Sequence, residues 1–151
     1  MNYSIGFTTT EGVCLDLDYI TQEKADKRAV HLLERYKLEG YLLIESSPDH
    51  YHVVFNRYTD WRETTQIVFS TFKAIEWGIW RARKGELTLR LSEKNGKNIP
   101  QLIKCVGKTD KLIKDYLKMY KGYLEIFHPE FETPSLLKEL QLEDSTLIGH
   151  P

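Results

Sequence analysis

Apolar and polar positions along the first twenty residues alternate or run together in short stretches. Tyr3 to Thr8 and Gly12 to Tyr19 are two such stretches, separated by the turn-like TTTEG, and they predict a hairpin. From Thr21 the period lengthens. Ala25, Ala29, Leu32, Leu33 and Tyr36 recur at three and four residues, and Thr21 is a residue type that accepts from free helix-end N–H groups. Gln22 to Tyr36 is therefore predicted as an amphipathic helix, ended by Gly40. Tyr41 to Glu45 is a short apolar run and reads as the next strand. SSPD makes a turn, and His50 to Phe55, rich in aromatic and β-branched residues, reads as a strand antiparallel to it. Asp60 and Glu63 have capping-box spacing before a helix sustained by Ile67, Phe72, Ile75 and Ile79 and ending near Trp80. Glu86 to Leu91 and Leu102 to Val106 are further strands, with EKNGKN a turn between them. Thr109 to Tyr120 is a basic amphipathic helix, and Pro134 to Leu142 a short acidic one.

The central order is strand, helix, strand, strand, helix, strand, preceded by an extra N-terminal strand. It predicts an α+β fold with a split βαβ sheet of the ferredoxin or RNA-recognition kind and helices packed on one face. That architecture hosts many functions and names none. At 151 residues the chain holds one core. The expected domain is 1–128, and 129–151 is expected to be an acidic tail or short helix, a candidate partner contact.

Charge changes this picture more than composition does. The net charge is only -1, yet Arg81 to Lys121 carries twelve Lys or Arg against four acids, while Tyr123 to Pro151 carries six acids against one lysine. Such segregation points to a face that meets an anionic partner or to solvated helix faces. The N-terminus lacks the basic-then-apolar pattern of a signal peptide, and no run has the length of a membrane span, so the expectation is a cytoplasmic protein without membrane contact. Cys14 and Cys105 lie far apart in apolar contexts and read as buried thiols rather than a disulfide or zinc site.

CLDLDYI, residues Cys14 to Ile20, carries the first candidate chemistry. Asp16 and Asp18 are two apart on a strand and share a face, with Leu15 and Leu17 on the other. Two carboxylates this close raise at least one pKa unless a cation neutralises them. Magnesium or manganese suits the pair, since these ions prefer carboxylate oxygens and keep positions open for phosphates; the alternative is an aspartate that caps the strand end or the helix start. In SSPDHYHVVF, His50 and His52 likewise share a strand face. If that strand neighbours the aspartate strand, they sit across from Asp16 and Asp18; one of them then fits a phosphate contact beside a carboxylate-bound metal, the alternatives being a His pair holding one metal in a tyrosine-dependent endonuclease or an exposed edge strand.

Together these stretches resemble the archaeo-eukaryotic primase superfamily, particularly the small primase-polymerases of plasmids, viruses and mobile elements. LDLD at Leu15 to Asp18, IESSPDHYHVVF at Ile44 to Phe55 and LTLRLSEKNGK at Leu87 to Lys97 follow that family's order over roughly residues 12 to 100. The resemblance implies a primase-polymerase-like core that acts in DNA replication or repair and transfers nucleotides with Mg2+ or Mn2+, with other replication proteins as partners for the acidic tail. It implies Asp16 and Asp18 as metal ligands, His52 as a nucleotide phosphate contact, and Ser46 and Ser47 as shapers of that pocket. Arg90 and Lys94 would face nucleotide or template phosphates, and Lys97, Lys108, Lys111, Lys114 and Lys118 would extend the surface to DNA or RNA. The family also places a third acid near the later strand, for which Glu86 in IWRARKGELTLRLS is the nearest candidate. Pro48-Asp49 stands where the family has Pro-Gly.

Two other classes fit parts of the chain. His50-Tyr51-His52 with Tyr116, Tyr120 and Tyr123 is similar to HUH replication-initiation and transposition endonucleases, which leaves LDLD and the Arg90 strand unexplained. A non-catalytic nucleic-acid-binding module or primase subunit needs only the basic face, with Trp77, Trp80 or Tyr58 as base-stacking platforms.

Overall fold

The computed structural model describes residues 4–70 and 86–140. Local signals set the first helix. Thr21 accepts from Lys24 N at 3.3 Å, and α1 runs Gln22–Tyr36 with Ala25, Ala29 and Leu32 buried on one stripe. Lys37, at φ 52, adopts the left-handed conformation that closes the helix, so the chain leaves α1 before Gly40. Gly40 instead opens the next strand, where a Cβ would lie 2.3 Å from Lys108 O.

The strands are β1 (Gly6–Thr9), β2 (Gly12–Asp18), β3 (Gly40–Ser47), β4 (His50–Tyr58), β5 (Leu87–Arg90) and β6 (Gln101–Gly107). Four of them form an antiparallel sheet in the order β2-β4-β3-β6, and β1 pairs with β5 in a separate two-stranded sheet. The fold is thus α+β. Since β2 and β3 both run antiparallel to β4, they run parallel to one another, with α1 crossing between them. The predicted hairpin between the first two strands is corrected. β1 takes its partner from about eighty residues away, placing Gly6 opposite Arg90, and Thr9 accepts from Gly12 N where the chain steps from one sheet to the other.

Helix α2 (Trp61–Phe69) starts where Asp60 accepts from Glu63 N at 2.8 Å. Its predicted continuation to Trp80, with Trp77 and Trp80, lies outside the described residues. Helix α3 (Leu112–Phe127) is the basic amphipathic helix. The helices do not share one face. Val13, Leu15, Leu17, Tyr51, Val53 and Phe55 pack with α1 and α2, whereas Cys14, Val54, Leu42 and Ile44 pack beneath α3 and the β1-β5 ribbon. Apolar side chains on both faces of a strand require cover on both. Residues 135–140 are helical and insert Leu137 into the second core, so this part of the acidic segment docks on the body. Among the described residues, no helix is long and apolar enough to cross a membrane.

Candidate functional site

The second core is a narrow apolar band that turns polar at both sheet ends. Along β2 the sequence Cys14, Asp16, Asp18 leads from that band to one end, and along β4 the sequence Val54, His52, His50 does the same. Register places Asp16 opposite His52 and Asp18 opposite His50. The two carboxylates and two imidazoles therefore form one patch, at the end where β2 leaves for α1 and β3 turns into β4.

The two cross-strand pairs differ. His50 Nδ1 and Asp18 Oδ1 share a hydrogen bond of 2.7 Å in a half-exposed position. His52 is buried, its Nε2 lies 3.6 Å from Asp16 Oδ1, and its Nδ1 is buried without a hydrogen-bond partner. Burial first, then the Arg90 guanidinium, pushes His52 down to about 3, so the imidazole is neutral. Burial first, then the Asp18 charge, pushes the Asp16 carboxyl up to about 7, against the opposing pull of His50, Lys97 and Arg90. Its contact with His52 is consequently not an ion pair at neutral pH.

Arg90 arrives from β5 on the same side. It donates to the Ser46 carbonyl at 2.5 Å, to the Asn98 carbonyl at 3.0 Å and to the Ser92 carbonyl, which fix its guanidinium beside the patch. Asn95 and Gly96, at φ 47 and 79, make the tight turn that returns Lys97 opposite Lys94. Both lysines are exposed, and the Lys97 charge is the one that reaches Asp16.

The structure therefore brings together Asp16, Asp18, His52, Arg90 and Lys97. Ser46 is adjacent, but its hydroxyl donates to His50 O at 3.2 Å and its carbonyl holds Arg90, so it braces the turn. Ser47 lies half-buried at the end of β3, opposite His50. Glu86 is not in the patch. It precedes β5 and is exposed, four positions and about 13 Å along the strand direction from Arg90. Among the described residues, no group of three His, Cys, Asp or Glu is arranged to hold a metal ion.

Two of the predicted nucleic-acid lysines belong elsewhere. Lys111 Nζ lies 2.6 Å from Glu39 and Lys108 Nζ 3.8 Å, and Lys111 N donates to Asn56, four residues along β4 from His52. They cap the opposite end of the sheet and do not extend the Asp16 patch. Lys114 is half-buried and Lys118 exposed on α3. Tyr58 is also tied to that region, through a hydrogen bond to Asp115.

The tyrosines of the nuclease alternative are enclosed. Tyr116 is fully buried with its hydroxyl unpartnered, Tyr120 donates to Pro100 O at 2.7 Å, and Tyr123 Oη is 3.1 Å from His128 Nε2. His50, expected from sequence only as the strand-face neighbour of His52, joins the patch as the partner of Asp18, and Tyr19 joins it without having been assigned there from sequence. For His50 the signal was the two-residue spacing from His52; for Tyr19 it was only its position directly after LDLD. Comparison with protein-family models, curated proteins and solved structures finds no match.

Proposed function

We propose that this chain is a primase-polymerase-like domain, with a split βαβ core formed around β2, α1, β3 and β4, whose patch binds a nucleoside triphosphate together with Mg2+ or Mn2+. One observation carries the reading: Asp16 and Asp18 converge on one sheet face between a neutral, buried His52 and a guanidinium fixed by three carbonyls. The donors suit a hard divalent ion, because one or two carboxylates are its usual protein ligands, with water and substrate phosphates as the others. Bound there, the ion would offset the negative charge of the phosphates. Asp16 and Asp18 would hold it, while His50 fixes the orientation of Asp18 and Arg90 supplies a fixed positive potential. Lys97 meets phosphate from the rim. His52 serves from below Asp16, its burial being too complete for the direct phosphate contact that the family resemblance implies.

Nucleotide binding is better supported than nucleotidyl transfer, because Glu86 stands too far along β5 to complete a three-carboxylate set. In the transfer reading, with DNA or RNA as template, the third acid comes from outside this patch. The enclosure of Tyr116 and Tyr120 disfavours the tyrosine-nuclease alternative, since a nucleophile must reach the nucleic-acid backbone. The test is Mn2+-dependent binding of a fluorescent nucleoside triphosphate, followed by anisotropy, with template extension in Mn2+ as a second readout. Binding by the wild type and its loss in Asp16→Asn and Asp18→Asn are expected. Metal-dependent binding that survives both substitutions refutes the site.

A further inference from the structure

Beside the carboxylate patch lies a cleft of about 560 Å³ lined by Tyr19, Ile20, Thr21, Lys24, Lys27, Arg28 and His31. The lining contains three permanent cations and a histidine but no carboxylate. The nearest acid on the helix, Glu23, meets Lys27 at 3.2 Å in a pair whose members are both about three-quarters exposed, so water screens it heavily. Lys24, Arg28 and His31 recur at four and three residues and so form a row along α1, next to the buried stripe of Ala25, Ala29 and Leu32. The same cleft receives the N-terminal turn of α1, where the helix dipole adds positive potential.

Tyr19 joins this cleft to the patch. It is 80% exposed, although a tyrosine ring normally gains by burial, and its backbone sits at φ 54, a conformation that costs a non-glycine residue energy. The next residue is pinned by a hydrogen bond from Ile20 N to Asp49 O at 3.0 Å, which holds the bend. One side of the ring meets His50 edge-on at 5.0 Å, and His50 in turn holds Asp18.

From this arrangement we infer that the α1 cleft binds single-stranded nucleic acid, with Tyr19 stacking a base and Lys24, Lys27 and Arg28 contacting successive phosphates. An exposed aromatic platform at the head of a cationic row is the combination that recognises single strands without sequence preference. Lys24 to His31 spans about 10 Å of helix, the length of roughly three stacked nucleotides. The strand enters along α1 and reaches the Asp16–Asp18 patch at Tyr19; only that direction rests on the nucleotide-binding reading, because the cleft binds a strand whether or not the patch binds metal.

Anisotropy of labelled twelve-residue oligo-dT and oligo-U over a series of salt concentrations tests this. The wild type binds one or both, and the two probes distinguish DNA from RNA as the source of the strand. Lys24→Gln/Lys27→Gln/Arg28→Gln reduces the slope of log affinity against log salt by about 2, at roughly 0.7 per phosphate for single strands. Tyr19→Asn, which retains a residue tolerant of the left-handed backbone, weakens binding about tenfold, and Tyr19→Trp restores it. These titrations are made without metal ion, whereas nucleotide binding at the patch is metal-dependent, so failure of the patch and failure of the cleft are separable. An unchanged salt slope in the triple variant overturns the inference. So does equal affinity for a duplex of the same length, or preference for phosphatidylserine vesicles over both oligonucleotides.

Discussion

The two ends of the central sheet handle polar groups in opposite ways. At the end bearing Asn56 the described polar side chains are paired with one another. Asn56 is fully buried, donates to Asp110 at 2.8 Å and accepts from Lys111 N at 2.8 Å, while Lys111 binds Glu39. The Asn56 hydrogen bond holds the Asp110 carboxyl below its ordinary value, and the Lys111 hydrogen bond does the same for Glu39, so the fold favours their charged forms. At the other end the charged forms are disfavoured. Asp16 is pushed up to about 7, His52 is pushed down to about 3, and His52 Nδ1 is left without a partner. Ends built on the same strands and only a few residues apart thus differ in whether the fold completes its own polar groups. Incompletely satisfied buried groups reduce stability, and those beside the anchored arginine are the ones that the proposed ligand would complete.

This contrast is sharpest in paired substitutions. Asn56→Leu strands the Lys111 N–H and the Asp110 carboxylate, and urea denaturation should show a loss of about 3 kcal/mol. Asp16→Asn should do the reverse at alkaline pH. The folded Asp16 pKa stands above its unfolded value, so its contribution to stability is complete below about pH 4 and is lost as the pH climbs through about 7. Three pK units correspond to about 4 kcal/mol, which solvent around a side chain 31% exposed reduces to about 2 kcal/mol. Metal-free Asp16→Asn is therefore about 2 kcal/mol more stable than wild type at pH 8, with the difference vanishing near pH 4 in parallel denaturation series. His52→Leu removes an imidazole whose Nδ1 is unpartnered and should change stability by less than about 1 kcal/mol, although His52 is as buried as many core residues.

The smallest effect belongs to the closed end under acid. Glu39 and Asp110 have lowered pKa values, so their contribution is present above the ordinary carboxylate range and is lost as the pH falls through their folded values. Melting temperatures between pH 5 and pH 2 should show a shallow decline that added salt reduces. Lys111→Met should flatten the Glu39 part of it.

Features set by neighbouring residues were legible in the sequence, and features set by distant ones were not. The α1 boundaries follow from Thr21 and a local apolar period, and Asp60 marks the start of α2 in the same way. The pairing of Asp16 with His52 was only conditional, since it depends on β4 lying directly beside β2. The β1 partner was not legible, because β5 lies beyond five other described elements and its own apolar alternation suits any neighbour. The second covered face was signalled by YLLI and VVF, continuous apolar runs that need cover on both sides, yet nothing local says which helix provides it. Glu86 was misplaced for a related reason. Proximity in sequence to Arg90 says nothing about the direction in which β5 carries it, and the strand carries it away from the patch. The tight Asn95-Gly96 turn returns Lys97 toward Asp16, whereas Lys108 and Lys111 follow β6 to the opposite end.

The most direct measurement is calorimetric titration of the metal-free protein with Mn2+ at neutral pH, comparing wild type, Asp16→Asn, Asp18→Asn and Lys111→Met. The incomplete end of the sheet predicts one site per chain in wild type and Lys111→Met, and its loss in both aspartate variants. Equal Mn2+ affinity in all four proteins would contradict it.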